Sequence, residues 1–324
     1  MIQEKFETER TDTWMARRKG VSHIKNSLMD SANNMSDVMD RGERTTGITT
    51  GFYRLDELIS GLQPGNLVVV AARTCIGKTS FVLNIAQHVS LRRKTGVLIF
   101  SLEMQKLDLT DKLLCSLARV NSHRYKTGTL DDVEMLRIIE AAASLSKALI
   151  YIDDTGDISL SGIRSVSKQL MSEEEVGLVI VDSIHQLHMK AESRFQELSK
   201  IARELKVLAM QLNVPIIAVS QLRQSQQLPG EHKKPKTLED LRSPSLDDLT
   251  ESGSIEQNAD VVILLSRPEA EGVTDPMVKG LVTVNVAKNR NGRTGHFELT
   301  FTSENQMFEN LDEDMYAMGI LPPR

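Results

Sequence analysis

Eight short runs of β-branched and other apolar residues set the strongest limit on how this chain can fold. They read LVVVA (67–71), VLIFS (97–101), LIYID (149–153), LVIVD (178–182), PIIAVS (215–220), VVILL (261–265), LVTVNVA (281–287) and FELTF (297–301). Runs this apolar suit strands buried on both faces, as in a parallel sheet covered by helices. Helical stretches alternate with them, which argues for an α/β fold with a central, mostly parallel sheet flanked by helices. FELTF is expected to close the series, and no fixed-period repeat is present. A chain of 324 residues has room for one large domain, alone or with an appendage.

Lys and Arg number 39 against 44 Asp and Glu, a formal net charge of −5. So mildly acidic a chain is not a general nucleic-acid binder. Any DNA contact has to come from a local basic patch, or from patches gathered in a ring of subunits. The two cysteines, Cys75 and Cys115, lack metal-ligand spacing. They fit a reducing cytoplasm and argue against a disulfide scaffold or a zinc site. No apolar run reaches the ~18 residues of a membrane span, and the opening MIQEKFETER does not read as a signal peptide. A cytoplasmic protein with no membrane partner is the expectation.

Three segments stand apart from the strand-and-helix rhythm. Residues 1–50 are polar and hold the single tryptophan, Trp14. Within them Val21, Ile24, Leu28, Ala32, Met35, Val38 and Met39 recur at helical spacing. That helix could lie on its own domain or serve as a linker docked on a neighbouring subunit. Residues 222–254 form a long polar stretch with Pro229, Pro235 and Pro244 and the cations Arg223, Lys233, Lys234, Lys236 and Arg242. Such a stretch is either a functional loop or a solvated one. Residues 309–324 form an acidic tail, read as a frayed terminus. The expected division is 1–50, 51–308 and 309–324.

Between the first strand and the helix that follows lies ARTCIGKTS, 72–80. Gly77, Lys78 and Thr79 occupy the last three positions of a phosphate-binding loop, while Ala72 stands where Gly usually opens it. Arg73, Thr74, Cys75, Ile76, Gly77, Lys78, Thr79 and Ser80 are the candidate ATP-binding residues. Backbone N–H groups and the helix start bind phosphate oxygens there. Lys78 would neutralise the β- and γ-phosphates, and the Thr79 hydroxyl would ligate Mg²⁺. Asp182, at the end of LVIVD, is the candidate second Mg²⁺ residue; alone it would read as an ordinary strand-end cap.

Other strand ends carry further candidates. Glu103 could act as a base or orient a water in line with the γ-phosphate, provided its strand adjoins the loop strand. Its plain alternative is a first-turn helix glutamate with Ser101 as cap. Gln221 could sense the γ-phosphate. Lys288 and Arg290, beside the turn at Asn291-Gly292, could reach a neighbour's γ-phosphate as an arginine finger, or simply form a basic surface hairpin. Asp153, Asp154, His185 and His188 read as core or capping residues.

These motifs converge on one family. TGFYRLDELISGLQPGNLVVVAAR, IGKT, FSLEM, GTLDD, LVIVDS, LNVPIIAVSQL, ESGSIEQNAD and KNRNG resemble, in order, the C-terminal RecA-like motor domain of DnaB-type replicative DNA helicases. The resemblance spans about Gly51 to Phe308. It implies a RecA-like P-loop ATPase preceded by a linker helix, working as a homohexameric ring with ATP and Mg²⁺ between subunits. Glu103 would be the catalytic glutamate, with Gln221 coupling the γ-phosphate to DNA loops and Lys288 and Arg290 acting in trans. Arg223, Thr250, Glu251, Ser252 and Gly253 would meet single-stranded or forked DNA.

A primase or a helicase loader is an implied partner. Set against the family, the sequence is expected to lack the N-terminal helical domain, and it carries Thr250 where Arg is usual. It also reads VDSIHQLHM where Asp-Tyr-Leu-Gln-Leu-Met is usual. The alternative is a RecA-fold ATPase that regulates or scaffolds a replication complex without unwinding DNA.

Overall fold

In a computed structural model, describing residues 23–25, 28–29, 45–222, 244–273 and 279–311, successive side chains of the central strands pass to opposite apolar layers. On β1 (Leu67–Ala72), Val68, Val70 and Ala72 enter one layer, and Leu67, Val69 and Ala71 enter the other. This is the period-2 alternation of a pleated strand with both faces covered. It explains why the strand reads as unbroken apolar sequence.

The first layer packs on α1 (Tyr53–Ile59), α2 (Lys78–Arg93) and α3 (Lys106–Ala118). The second packs on α6 (Leu160–Glu173) and α7 (Arg194–Leu212). Between α3 and α6 lie α4 (Ser122–Thr127) and α5 (Asp132–Leu145); Ile138 and Ala141 of α5 pack with Leu114 and Ala118 of α3 in a small cluster. The family motif GTLDD is the punctuation of this region. Gly128 closes α4 in a left-handed conformation, and Asp131 opens α5 in a capping box with Glu134.

One sheet of nine strands runs through the domain in the order β3-β2-β4-β5-β1-β6-β7-β8-β9. The strands are β2 (Gly96–Ser101), β3 (Ile150–Asp153), β4 (Val176–Asp182), β5 (Ile216–Gln221), β6 (Val261–Ser266), β7 (Leu281–Asn289), β8 (Gly295–Thr302) and β9 (Met307–Asn310). Strands from β3 to β6 pair in parallel, and the last three are antiparallel. All eight sequence runs are strands. FELTF does not close the series, because β9 follows it and carries the buried Phe308 into the core.

Behind the loop that follows β1, four aromatic rings pack together. Phe52 stacks on Phe81 at 4.9 Å, Phe308 meets Phe81 edge-on at 5.4 Å, and Phe301 lies 4.4 Å from Phe308.

The chain divides into two units, Met1–Thr46 and Gly47–Arg324. In the first, residues 24–25 and 28–29 are helical, as the apolar spacing predicts. Trp14, Val21, Ala32, Met35, Val38 and Met39 lie outside the described residues, as do 223–243, with Arg223 and the other loop cations, and 312–324.

Phe81 is fully buried and bridges the aromatic cluster. Phe81→Ala should lower the stability of the domain by about 3–5 kcal/mol, seen as a shift in the denaturant midpoint without a change in slope.

Candidate functional site

The site forms where β1 ends. Leaving the buried Ala72, the chain turns sharply through residues of positive φ, Cys75 at 63° and Gly77 at 111°. Ile76 anchors the turn in the core, while Thr74 and Cys75 are exposed and Arg73 is half-buried. At Gly77 a side chain is disfavoured twice. The φ is one that L residues rarely adopt, and a Cβ would sit 3.2 Å from the Phe308 ring. From across β6, the Arg267 Nη2 donates to the Cys75 carbonyl at 3.0 Å, and its guanidinium lies over the Phe301 ring.

Lys78 opens α2 and folds back over the loop. Its Nζ donates to the carbonyls of Ala72 and Arg73 at 3.1 and 3.0 Å. Burial lowers its pKa, and the carboxylates of Asp182 and Glu103 oppose that shift. The Thr79 hydroxyl donates to Asp182 Oδ2 at 2.7 Å. The Asp182 carboxyl is buried, which raises its pKa against the lowering effect of the Thr79 bond. Ser80 is buried, and its hydroxyl donates to Gln306 in the β8–β9 turn.

Glu103 reaches this group by a different route from the one the sequence suggested. β2 does not adjoin β1; β4 and β5 lie between them. What β2 adjoins is β4, with Ser101 paired to Asp182 and the Leu102 N–H donating to the Asp182 carbonyl. Glu103 therefore reaches the group through Asp182 and β4, not through a strand paired with β1. Its first-turn alternative fails, since α3 begins at Lys106 and the Ser101 hydroxyl bonds the Met104 carbonyl. Glu103 Oε1 accepts from the Ser183 hydroxyl at 2.5 Å and from Gln186 Nε2 at 3.5 Å.

Gln221 ends β5 directly opposite Ala72 and is exposed. The structure thus brings Lys78, Thr79, Asp182, Glu103 and Gln221 to the carboxyl edge of the parallel strands, where α/β sheets bind ligands.

Lys288 and Arg290 lie at the opposite edge. Lys288 pairs with Val262 near the start of β6, and its Nζ donates to the Glu256 carbonyl at 2.6 Å. Burial lowers its pKa, helped by the neighbouring Arg290. Arg290 binds the Asp260 carboxylate at 3.1 Å and the Gln257 carbonyl at 3.0 Å. Asp260 also accepts from the Leu67 N–H, at the start of β1. A six-residue strand separates the two edges by about 17 Å.

Thr250, Glu251, Ser252 and Gly253 span the junction of a 3₁₀ helix (Leu246–Ser252) with α8 (Gly253–Asn258). Their side chains lie outside the described residues.

Asp154 caps α3 by accepting from the Lys106 N–H. His188, expected in the core or at a cap, is instead exposed and 3.5 Å from Glu197. His185 packs against the end of β5, accepting from the Gln221 N–H and meeting the Ser220 hydroxyl. Sequence reasoning gave Ser183, Arg267 and Gln306 no role at the site and read His185 only as a core or capping residue. Their signal is spatial, because the turn after β4, the end of β6 and the β8–β9 turn reach the site from separate parts of the chain.

Residues 47–310 match the model of the DnaB-like helicase C terminal domain. The chain belongs to this family. It is 38% identical over 304 residues to the replicative DNA helicase DnaB of Geobacillus stearothermophilus, covering 93% of this chain and 64% of that one. Against the replicative DNA helicase DnaC of Bacillus subtilis (strain 168) it is 37% identical over 322 residues, covering 98% and 68%. It thus spans about two thirds of the length of these relatives.

Among solved structures it resembles one of a separate ATPase domain, with a TM-score of 0.78 and 29% identity over 91% of this chain and all of that one. It also resembles a DnaB-like replicative helicase whose structure was described with its primase interactions, with a TM-score of 0.76 and 29% identity over 96% and 72%. The RecA-like ATPase fold expected from the motifs is therefore the fold of this DnaB-like domain.

The two cysteines differ sharply in this fold. Cys75 is exposed on the loop, whereas Cys115 is buried and its thiol is pushed up to about 11. A maleimide should modify one thiol per folded chain, at Cys75, and both in denaturant. ATP·Mg²⁺ should slow the first reaction, as measured by mass spectrometry of the labelled peptides.

Proposed function

We propose that this DnaB-like domain is an ATP-driven motor that moves along single-stranded DNA as a ring of identical subunits, and so unwinds duplex at a fork. The observation that carries the reading is the convergence of Lys78, Thr79, Asp182, Glu103 and Gln221 at one sheet edge while Lys288 and Arg290 stand at the other. A single chain cannot bring its own Arg290 to its own loop. A neighbour can.

The residues present fit Mg²⁺ held together with a nucleotide. The Thr79 hydroxyl and Asp182 carboxylate share one hydrogen bond, so one cation could take an oxygen from each and complete its shell with phosphate and water oxygens. Among the described residues no group of three or more His, Cys, Asp or Glu could hold a metal ion alone. When bound, the ion would screen the negative charge of the phosphates.

Lys78 would leave the carbonyls of Ala72 and Arg73 for the β- and γ-phosphates, whose other oxygens meet the loop N–H groups. Glu103 would accept the proton of the water that attacks the γ-phosphorus, as the bond to the departing ADP breaks. Arg290 and Lys288 of one subunit would stabilise charge on the phosphate bound by the next.

The outer face of α5 supports a ring. Val133, Leu136 and Ile139 recur there at helical spacing and are exposed in the single chain, as an interface between subunits would require. Single-stranded DNA would lie against the segment 246–253 and the basic residues after Gln221. A cytoplasmic location at replication forks accords with the bacterial helicases it resembles. A primase is a candidate partner on the precedent of the DnaB-like helicase structure, and a loader is a second candidate.

Single-stranded DNA should raise the ATPase rate, and forked duplex should be separated. Glu103→Ala and Arg290→Ala should each reduce hydrolysis by about 100-fold or more. Mixing the two variants should restore part of the rate, since some interfaces then pair an intact Glu103 with an intact Arg290. No recovery in mixed oligomers would remove the trans assignment. A chain that binds replication proteins equally well with both substitutions, and never separates strands, would be a scaffold instead.

A further inference from the structure

The turn after Asp182 touches both halves of the nucleotide site. Ser183 donates to Glu103 Oε1 at 2.5 Å, and Gln186 reaches the same oxygen. His185, between them, faces the end of β5. The Gln221 main-chain N–H points at its Nε2 at 2.9 Å, with the Ser220 hydroxyl at 3.1 Å. A backbone N–H can only donate, so Nε2 is the unprotonated nitrogen and Nδ1 carries the hydrogen.

The turn itself is held firmly. Ile184 and Leu187 are buried. Arg194, at the start of α7, donates to the His185 and Leu187 carbonyls and pairs with Glu197, which in turn accepts from the Met189 N–H. A short segment pinned in this way forms a stiff link between its two ends.

We propose that residues 183–186 form a coupling bridge in which Ser183 restrains Glu103 and His185 holds the β5 end that carries Gln221. The proposal rests on the reading of Glu103 and Gln221 given above, and both Ser183 and His185 are positioning residues. The Ser183 hydroxyl occupies a lone pair of the carboxylate that would otherwise accept a water proton. Glu103 is thereby held back while the bridge is at rest. A shift of the Gln221 backbone on DNA binding is carried by His185 to Ser183, which releases Glu103. DNA occupancy and hydrolysis are then linked by contacts only one residue apart in the turn.

The test is steady-state ATP hydrolysis by the full chain, with and without single-stranded DNA. Ser183→Ala should raise DNA-independent turnover by about fivefold and shrink the further stimulation by DNA, as expected for loss of a coupling of ordinary strength. His185→Ala should lose DNA stimulation by about fivefold more than it loses basal turnover. His185→Gln, which offers an acceptor near the position of Nε2, should regain most of the stimulation. The double variant should show no more than the Ser183→Ala effect, because both act through one bridge.

Unchanged basal turnover in Ser183→Ala overturns the proposal. So does an equal loss of basal and stimulated rates in His185→Ala, or a His185→Gln variant as impaired as His185→Ala. A wild-type chain that DNA does not stimulate would defeat the motor reading instead. In that case amide exchange decides the bridge: His185→Ala should speed exchange in 216–222 and leave 67–72 unchanged, and no change in 216–222 overturns it.

Discussion

Burial of β1 on every side governs the rest of this molecule. All six of its residues are out of contact with water. Its N–H and C=O groups therefore have to be met by neighbouring strands, since an unpaired buried backbone group is costly. β5 and β6 meet them in parallel on either side. A strand enclosed in this way can begin and end only at the two edges of the sheet. At its end the chain has to turn abruptly, and the turn leaves N–H groups and a helix start facing outward. The geometry of the candidate phosphate loop is thus a consequence of the central strand, with Gly77 at its tightest point.

The opposite edge obeys the same constraint with different chemistry. The first N–H of β1 is met by a carboxylate, Asp260, which also binds Lys206 at 2.6 Å and Arg290 at 3.1 Å. Asp260 is almost fully buried, and a carboxylate in such a place persists because each oxygen has a donor. The same residue that satisfies the start of the central strand therefore orients Arg290. Lys288 hangs from the Glu256 carbonyl of α8, the helix that follows segment 246–252. The basic hairpin is fastened to the same short helix that segment 246–252 enters.

Much of this was legible beforehand, for identifiable reasons. Strands covered on both faces have apolar residues at every position, so β1, β4 and β6 stand out in sequence. β9 does not, because Met307–Asn310 is short and only Phe308 reaches the core. Gly77, Lys78, Thr79 and Asp182 stand out in sequence as candidates because the chemistry of phosphate and magnesium restricts which residue types could serve, and the fold brings them together. Strand order is written nowhere in local pattern. The path from Glu103 to the site through β4, the hold of Arg267 on the Cys75 carbonyl and the reach of His185 to β5 all depend on it. Ser80 looks like part of the loop in sequence, yet its side chain serves the β8–β9 turn.

The ring of Phe308 that closes the space behind Gly77 stands more than 200 positions later in the chain. During synthesis from the amino end, the loop leaves the ribosome long before its back wall exists. A nascent chain stopped short of β9 would hold every residue named for nucleotide chemistry and still lack the surface against which the loop is shaped. The loop should therefore take its final shape only late, when nearly the whole domain has been made.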